Sequence, residues 1–411
     1  MNIENRKVLI TGSTGFIGGH LARRLVKFKK SRIRGLVKNP LIPTVRIDGL
    51  PVEKVFGDMT SIEAMRGAVR GCDIVVHCAV GEPHENPLGT SNIIRAALEH
   101  GVKKFIHISS TAVFGYSPSI DKAKDGILDY KFSKNDYLTA YSHSKIECEK
   151  TAFAYYDSSK LPLVVLRLSN VFGPCSTCWT TRPINMIKQG CYTLVNGGLS
   201  PSNTIYVDNV VDAIILAITE DNAIGHAMTI SDKKTVSWKT FFSSYVKMLP
   251  SLHTLLDITQ RDLKDERARQ KLEDVKRMLS NPMKISSVIP YLENESKGLG
   301  ILISLIKRAK ATKLHTLSPE SLRECANPCD IAEVTQDQSK LPKIPEIWLE
   351  KTFTLPLQFS INEATDILGF KPQISFEEGM IKTEKWLNNC NDRLAMATQT
   401  SIPGLLVSLA P

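Results

Sequence analysis

The sequence predicts an α/β fold built on a doubly wound parallel sheet, and three observations carry that expectation. Short apolar runs alternate with helical patterns as far as residue 174, the rhythm that builds parallel sheets. The first run, Val8-Leu9-Ile10, is uninterrupted, as in strands buried on both faces. It breaks into glycines and then directly into a helical pattern, so strand, tight turn and helix follow one another without a spacer. At 411 residues the chain exceeds what one core usually holds, so a second, smaller lobe is expected beside the sheet.

The stretch KVLITGSTGFIGG at 7–19 spaces Gly12, Gly15 and Gly18 three apart. Glycines between a strand and a helix let a pyrophosphate approach bare backbone and rest against the helix N-terminus. In that role Gly12 permits the turn, Gly15 leaves room for the phosphates, and Gly18 lets the helix pack on the strand. Ile17, Leu21, Leu25 and Val26 supply the helix's apolar face. A Rossmann-type dinucleotide site follows, with Thr14, Phe16 and Ile17 in the same turn. A later apolar run, Phe105 to Ile108, ends in Ser109-Ser110-Thr111, and a hydroxyl at a strand's carboxyl end faces the ligand crevice of an open sheet. Ser110 is assigned that role, with Thr111 its rival in register. Tyr141 and Lys145 stand four apart and share one helix face. The ammonium favours the phenolate, which suits Tyr141 to general acid/base chemistry.

In this order, the glycine triplet, Ser110 and the Tyr141-Ser142-His143-Ser144-Lys145 run resemble the extended short-chain dehydrogenase/reductase superfamily. This is the NAD-dependent epimerase/dehydratase family, with 3β-hydroxysteroid dehydrogenase and dihydroflavonol reductase types among its members. The likeness continues through Gly57-Asp58, VVHCAV at 75–80, Asn86, Gly89-Thr90, Arg167 to Pro174, Tyr206 to Val210 and Leu368 to Pro372. It covers two blocks, 1 to about 240 and about 350 to 388. The resemblance implies that Asp58 and Met59 lie beside the adenine and that Cys78 and Ala79 pass under the cofactor. It also implies that Ser110 steadies a substrate oxygen, while Tyr141 and Lys145 touch both cofactor and substrate. Pairing through the helix bearing Tyr141 and Lys145, giving a homodimer, is implied in the same way.

The second strand ends Arg32-Ile33-Arg34-Gly35-Leu36-Val37-Lys38-Asn39-Pro40, without the acid that would hold the ribose 2′-hydroxyl of NAD. Lys38 suits a 2′-phosphate, so NADP is the expected cofactor and NAD the alternative. The expected organisation is a cofactor domain over 1–174, with 203–234 returning to it, and a smaller C-terminal substrate-binding lobe from 175–202 and 235–388. Within that lobe, 258–348 departs from the family pattern as a helical insert, and 389–411 forms a tail. The expected activity is an NADP-dependent interconversion of secondary alcohol and ketone on a small metabolite. A nucleotide-sugar epimerase or dehydratase is the alternative, although Ser202-Asn203-Thr204 stands where sugar-nucleotide members often carry an arginine. A non-catalytic cofactor-binding subunit is the third reading.

The net charge of +10 is spread along the chain without a nucleic-acid motif, so no nucleic-acid partner is expected. The amino terminus enters the first strand at once, no apolar stretch approaches the roughly 20 residues that span a bilayer, and the nine cysteines are an odd number. These features point to a reducing cytoplasm. Cys175 with Cys178, and Cys325 with Cys329, lack a metal-ligand pattern, so no metal is expected. In the insert, QRDLKDERARQKLEDVKRML carries only a thin apolar stripe of Leu263, Leu272, Val275 and Leu279. The apolar run 298–306, followed by Lys307, Arg308, Lys310 and Lys313, is either a buried helix or a dock for an anionic membrane surface or protein partner.

Overall fold

The computed structural model describes residues 2–29, 31–42, 44–115, 138–190, 192–249, 255–279, 345 and 347–399. The Cys325/Cys329 pair, the run 298–313 and the last part of the tail lie outside them. The chain divides into two compact units, 1–257 with 345–411, and 258–344.

The first unit is built on seven strands: β1 Lys7–Thr11, β2 Arg32–Val37, β3 Val52–Phe56, β4 Ile74–His77, β5 Lys104–Ser110, β6 Leu163–Leu168 and, later in the chain, β10 Ala227–Ile230. Every pairing is parallel and the spatial order is β10-β6-β5-β4-β1-β2-β3. The doubly wound Rossmann-type sheet expected from the sequence is therefore present. The order reverses between β1 and β4, where Val8 pairs with Ile74 and Thr11 with His77. At such a switch point neighbouring loops splay to opposite faces and leave a crevice at the carboxyl ends of the strands.

Helices α1 (Phe16–Lys29), α2 (Ile62–Val69), α3 (Asn86–Glu99) and α4 (Ala140–Ser159) follow β1, β3, β4 and β5. Apolar side chains of α2, α3 and α4 pack with Leu9, Val75, Phe105 and Val165 into one core, so these three helices cover one face. On the other, α1 meets α6 (Val207–Thr219), and Arg24 reaches Asp212 at 2.7 Å. Val8, Leu9 and Ile10 are wholly buried, each contributing about 1.5–3 kcal/mol by removal from water.

Beyond β6 the chain makes β7 (Asn170–Phe172), α5 (Arg182–Lys188), β8 (Thr193–Val195) and β9 (Thr204–Tyr206), with β7 and β9 pairing in parallel. It continues through α7 (Trp238–Lys247) and β11 (Leu256–Ile258), which pairs with β8. An aromatic core holds this region: Trp238 stacks on Trp179 at 5.1 Å and on Phe242 at 5.4 Å, and its indole N–H donates to the Thr352 carbonyl at 3.2 Å. Thr352 belongs to α9 (Ile347–Thr354), after α8 (Gln260–Leu279) of the second unit; α10 (Asn362–Leu368) and α11 (Phe376–Gln399) end the described chain. Among the described residues no helix is long and apolar enough to cross a membrane.

The segment entering α11 is held to α6 by one buried side chain. Asn209 accepts from the Gln373 and Ile374 amides at 3.0 and 2.9 Å and donates to the Ile374 carbonyl at 2.8 Å. Asp232, two residues past β10, lies 3.4 Å from the Asn209 amide. Burial pushes its carboxyl up to about 7, the Asn209 hydrogen bond pulls down, and Glu377 pushes up. The folded protein thus binds a proton at Asp232 that the unfolded chain, with a carboxyl near 3.9, has already lost. Its stabilising contribution is complete at low pH and declines as pH rises from about 4 to about 7. Asp232→Asn is expected to flatten that part of the stability profile and to raise the urea midpoint at pH 8 more than at pH 5.

Candidate active site

The glycine turn at the switch point is fixed by backbone crowding. Gly12 has φ +69°, and a Cβ there would stand 2.9 Å from the Ala79 nitrogen and 3.0 Å from the Cys78 carbonyl carbon. A Cβ on Gly18 would run into the Gly12 carbonyl, so α1 rests directly on the turn. The Gly15 amide donates to the Gly12 carbonyl at 2.9 Å. Ser13 is buried, with its hydroxyl 3.3 Å from the Leu36 carbonyl, and Gly35 leaves room for it. Phe16 meets His20 edge-on at 5.5 Å, and Ile17 lies half-buried in the first turn of α1. That turn carries no acidic side chain, which leaves the positive end of the helix able to receive an anion. The turn fits a dinucleotide pyrophosphate: side chains are excluded where the backbone must be approached, and nothing anionic competes at the helix end.

Lys38 and Asp58 meet at the carboxyl ends of β2 and β3, with ammonium and carboxylate 3.2 Å apart. Asp58 accepts the Thr60 amide at 2.9 Å and the Thr60 hydroxyl at 2.8 Å; the amide first, then the hydroxyl and Lys38, hold its carboxyl below the usual range. The same contact raises Lys38. Met59 is buried under Gly89, where a Cβ would stand 2.6 Å from its Cγ, and Asn92 donates to the Met59 and Thr60 carbonyls at 3.1 and 2.9 Å. Arg34, the other cation of the second strand, is buried. It donates to the Ala68 and Arg70 carbonyls at 2.7 and 2.8 Å and pairs with Glu53 at 2.8 Å.

Cys78 and Ala79 continue from β4 beside Gly12. The Ala79 amide donates to the Thr11 hydroxyl at 3.1 Å, that hydroxyl lies 2.8 Å from His77 Nδ1, and His77 Nε2 lies 3.2 Å from Thr90. Burial above all, with Lys145 nearby, pushes His77 down to about 3 and His107, its neighbour in the sheet, well below the usual histidine range. Both imidazoles are neutral at physiological pH. Gly81 donates to Asn86 at 2.7 Å, and Asn86 donates to Ser144 at 2.8 Å, joining the turn after β4 to α4.

Ser110 ends β5, and its hydroxyl oxygen accepts the Ala112 amide at 3.2 Å, capping the one-turn helix Thr111–Phe114. Thr111, the rival hydroxyl, is buried. Lys145 is buried too, donates to the Ile108 carbonyl at 2.8 Å, and lies 6.0 Å from the centre of the Tyr141 ring. Tyr141 stays 39% exposed. Lys145 thus draws the face of α4 that carries Tyr141 onto the end of the strand that carries Ser110.

Beneath these residues lies a group that the sequence reading missed. Glu149, one turn beyond Lys145, accepts from Ser109 at 2.5 Å and from Arg167 Nη2 at 2.8 Å, and the Arg167 guanidinium lies 5.4 Å from the Phe114 ring centre. Ser109 and Arg167 are register partners on β5 and β6, so two adjacent strands hold one helix carboxylate. Its spacing of four from Lys145 was the available signal. Arg46, also missed, donates to the Thr14 carbonyl at 2.8 Å. Among the described residues no cluster of histidine, cysteine, aspartate or glutamate could hold a metal ion.

A parallel sheet with a glycine turn at its switch point defines a Rossmann-type α/β protein. The chain belongs to the NAD dependent epimerase/dehydratase family, whose model matches residues 8–231. It is 28% identical over 260 residues to the dTDP-D-glucose 4,6-dehydratase of Dictyostelium discoideum, covering 56% of this chain and spanning 59% of that relative's length. It is 27% identical over 253 residues to the decarboxylating sterol-4-alpha-carboxylate 3-dehydrogenase of Bos taurus, covering 58% of this chain and 68% of that protein. The UDP-glucose 4-epimerase of Vibrio cholerae is 27% identical over 251 residues, covering 56% of this chain and 72% of that protein. The solved structure of an epimerase from Methanothermobacter thermautotrophicus is similar in fold, with TM-score 0.63, 16% identity and 96% of both chains covered. Related enzymes thus include dehydratases, dehydrogenases and epimerases.

The buried Glu149–Arg167 pair makes a stability prediction. Glu149→Leu alone strands the Arg167 charge and is expected to cost about 3–5 kcal/mol in urea unfolding. Glu149→Met with Arg167→Met removes both charges and is expected to recover most of that loss.

Proposed function

We propose that the protein is an NADP-dependent oxidoreductase that interconverts a secondary alcohol and a ketone on a small, rather apolar metabolite. The observation that supports this reading is the Lys145 contact to the Ile108 carbonyl, which ties the helix carrying Tyr141 to β5, the strand that ends in Ser110. In this reading Gly12, Thr14, Gly15, Phe16 and Ile17 hold the pyrophosphate, Asp58 and Met59 flank the adenine, and Cys78 and Ala79 lie beneath the dinucleotide. Bound there, the nicotinamide supplies or accepts a hydride.

The chain's own residues do the rest. Ser110 donates a hydrogen bond to the substrate oxygen as charge develops on it. Tyr141 gives that oxygen its proton in reduction and takes it back in oxidation. Lys145, held by the Ile108 carbonyl, keeps its ammonium 6.0 Å from the centre of the Tyr141 ring.

An apolar substrate is supported by Leu138 and Phe359, which stay partly exposed on a buried apolar cluster that includes the one-turn helix after Ser110. Val113, Phe114 and Ile146 form a cluster with Leu138 and Phe359, and the Phe114 and Phe359 rings lie 5.7 Å apart. Ser202, Asn203 and Thr204 offer no cation for a sugar-nucleotide diphosphate: Ser202 and Thr204 bond to each other at 3.1 Å, and Asn203 holds Leu357 and Phe359 at 2.7 and 3.0 Å. The second reading, a nucleotide-sugar epimerase or dehydratase, is favoured by the relatives of those types.

The two readings separate by NADPH oxidation against a panel of ketones, run beside UDP- and dTDP-sugars. Ketone-dependent oxidation is expected, and Tyr141→Phe should lower kcat by about a hundredfold to ten-thousandfold. Sugar conversion without net NADPH consumption would move the assignment to the epimerase. Bound cofactor without turnover of any substrate would favour a non-catalytic subunit.

A further inference from the structure

A buried chain of hydrogen bonds crosses the fold between the glycine turn and α4. The Ala79 amide, in the peptide against which Gly12 packs, donates to the Thr11 hydroxyl at 3.1 Å. That hydroxyl lies 2.8 Å from His77 Nδ1, and His77 Nε2 lies 3.2 Å from the Thr90 hydroxyl. Thr90 in turn bonds to the Cys148 thiol on α4, three residues beyond Lys145. Thr11, His77, Thr90 and Cys148 are all buried, so each depends on its neighbours for the bonds that water would otherwise make.

The direction of the chain follows from the imidazole. Burial keeps His77 neutral, and a neutral ring has one N–H donor and one bare acceptor nitrogen. The Thr11 oxygen takes the Ala79 N–H, and its own proton points to Nδ1. Nδ1 is then bare, Nε2 carries the hydrogen, and Nε2 donates to Thr90. The other tautomer leaves the Thr11 proton without an acceptor among the described residues. The peptide at the head of the chain lies toward the reacting end of the site, since the Lys145 charge acts on Cys78.

We infer that His77 is a positioning residue: through Thr11 it fixes the Cys78-Ala79 peptide as the floor for the nicotinamide half of the dinucleotide, and through Thr90 it ties that floor to the helix carrying Tyr141 and Lys145. This rests on the dinucleotide reading of the glycine turn.

Calorimetric titration of the full chain with NADPH, NADH and ADP, beside urea unfolding, tests the assignment. Two amides split the functions of the ring. In His77→Asn the side-chain oxygen takes the place of Nδ1 and accepts from Thr11, whereas in His77→Gln the side-chain nitrogen takes the place of Nε2 and serves Thr90 alone. His77→Gln is expected to weaken both dinucleotides by about tenfold and to leave ADP, which has no nicotinamide half, within about twofold. His77→Asn should keep both dinucleotides within about threefold, although each variant loses one of the ring's two bonds and the urea midpoints should fall alike. Thr11→Val should reproduce the loss seen with Gln, and Thr11→Ser should not. Equal dinucleotide affinities in His77→Asn and His77→Gln, or a loss shared equally by ADP, would overturn the inference. Should the His77 variants not fold, equal dinucleotide affinities in Thr11→Ser and Thr11→Val would overturn it instead. If the wild type binds none of the three ligands, the dinucleotide reading itself fails and the inference falls with it.

Discussion

The closeness of backbone to backbone at the switch point is the constraint on which the site depends. Gly12 lies against the Cys78-Ala79 peptide and Gly18 against the Gly12 carbonyl, so β1, α1 and the turn after β4 meet with no side chain between them. An ordinary residue at either position separates strand from helix, and an N-terminus displaced from the crevice no longer presents its N–H groups to an anion. The Thr11 hydroxyl continues the lock by accepting the Ala79 amide while it touches His77. In the proposed reading, phosphate recognition at this turn is a property of packed main chain, with few side chains required.

A second constraint sets the side chains proposed to react. Tyr141, Lys145 and Glu149 share one face of α4, and each turn of that face has its own partner in the sheet. Lys145 takes the Ile108 carbonyl; Glu149 takes Ser109 and Arg167. Burying an ion pair is costly in desolvation, and an apolar pair of similar volume often serves stability as well. What the pair provides is register: the helix cannot slide along β5 without breaking bonds to two strands. Tyr141, held by none of these bonds, remains exposed to whatever occupies the crevice.

Much of the architecture was legible because it rests on short-range patterns. The glycine triplet, the apolar strands and the strand–helix alternation depend on neighbours in sequence, and the parallel sheet and its turn follow from them. Tyr141 and Lys145 were legible for the same reason, being four apart on one helix. Long-range pairings were not. Lys38 reads as a free cation until β3 brings Asp58 beside it, and Arg34 looks like a surface charge until the end of α2 wraps its guanidinium. Arg46 carried no signal, since its place against Thr14 is decided by the path of a loop. Asp232 and Asn209 meet only because the chain returns past residue 373 to cover α6.

The central claim is that the glycine turn and the Ser110–Tyr141–Lys145 end of β5 form one reaction site. A crystal structure of the protein with NADP tests it most directly. The account predicts a pyrophosphate at residues 12–17 against the first turn of α1, with the nicotinamide ring extending toward Tyr141 and Ser110. Its C4 should face a space from which a substrate carbon is reachable at about 3–3.5 Å. A dinucleotide bound elsewhere, or one whose nicotinamide points away from Tyr141, would contradict the account.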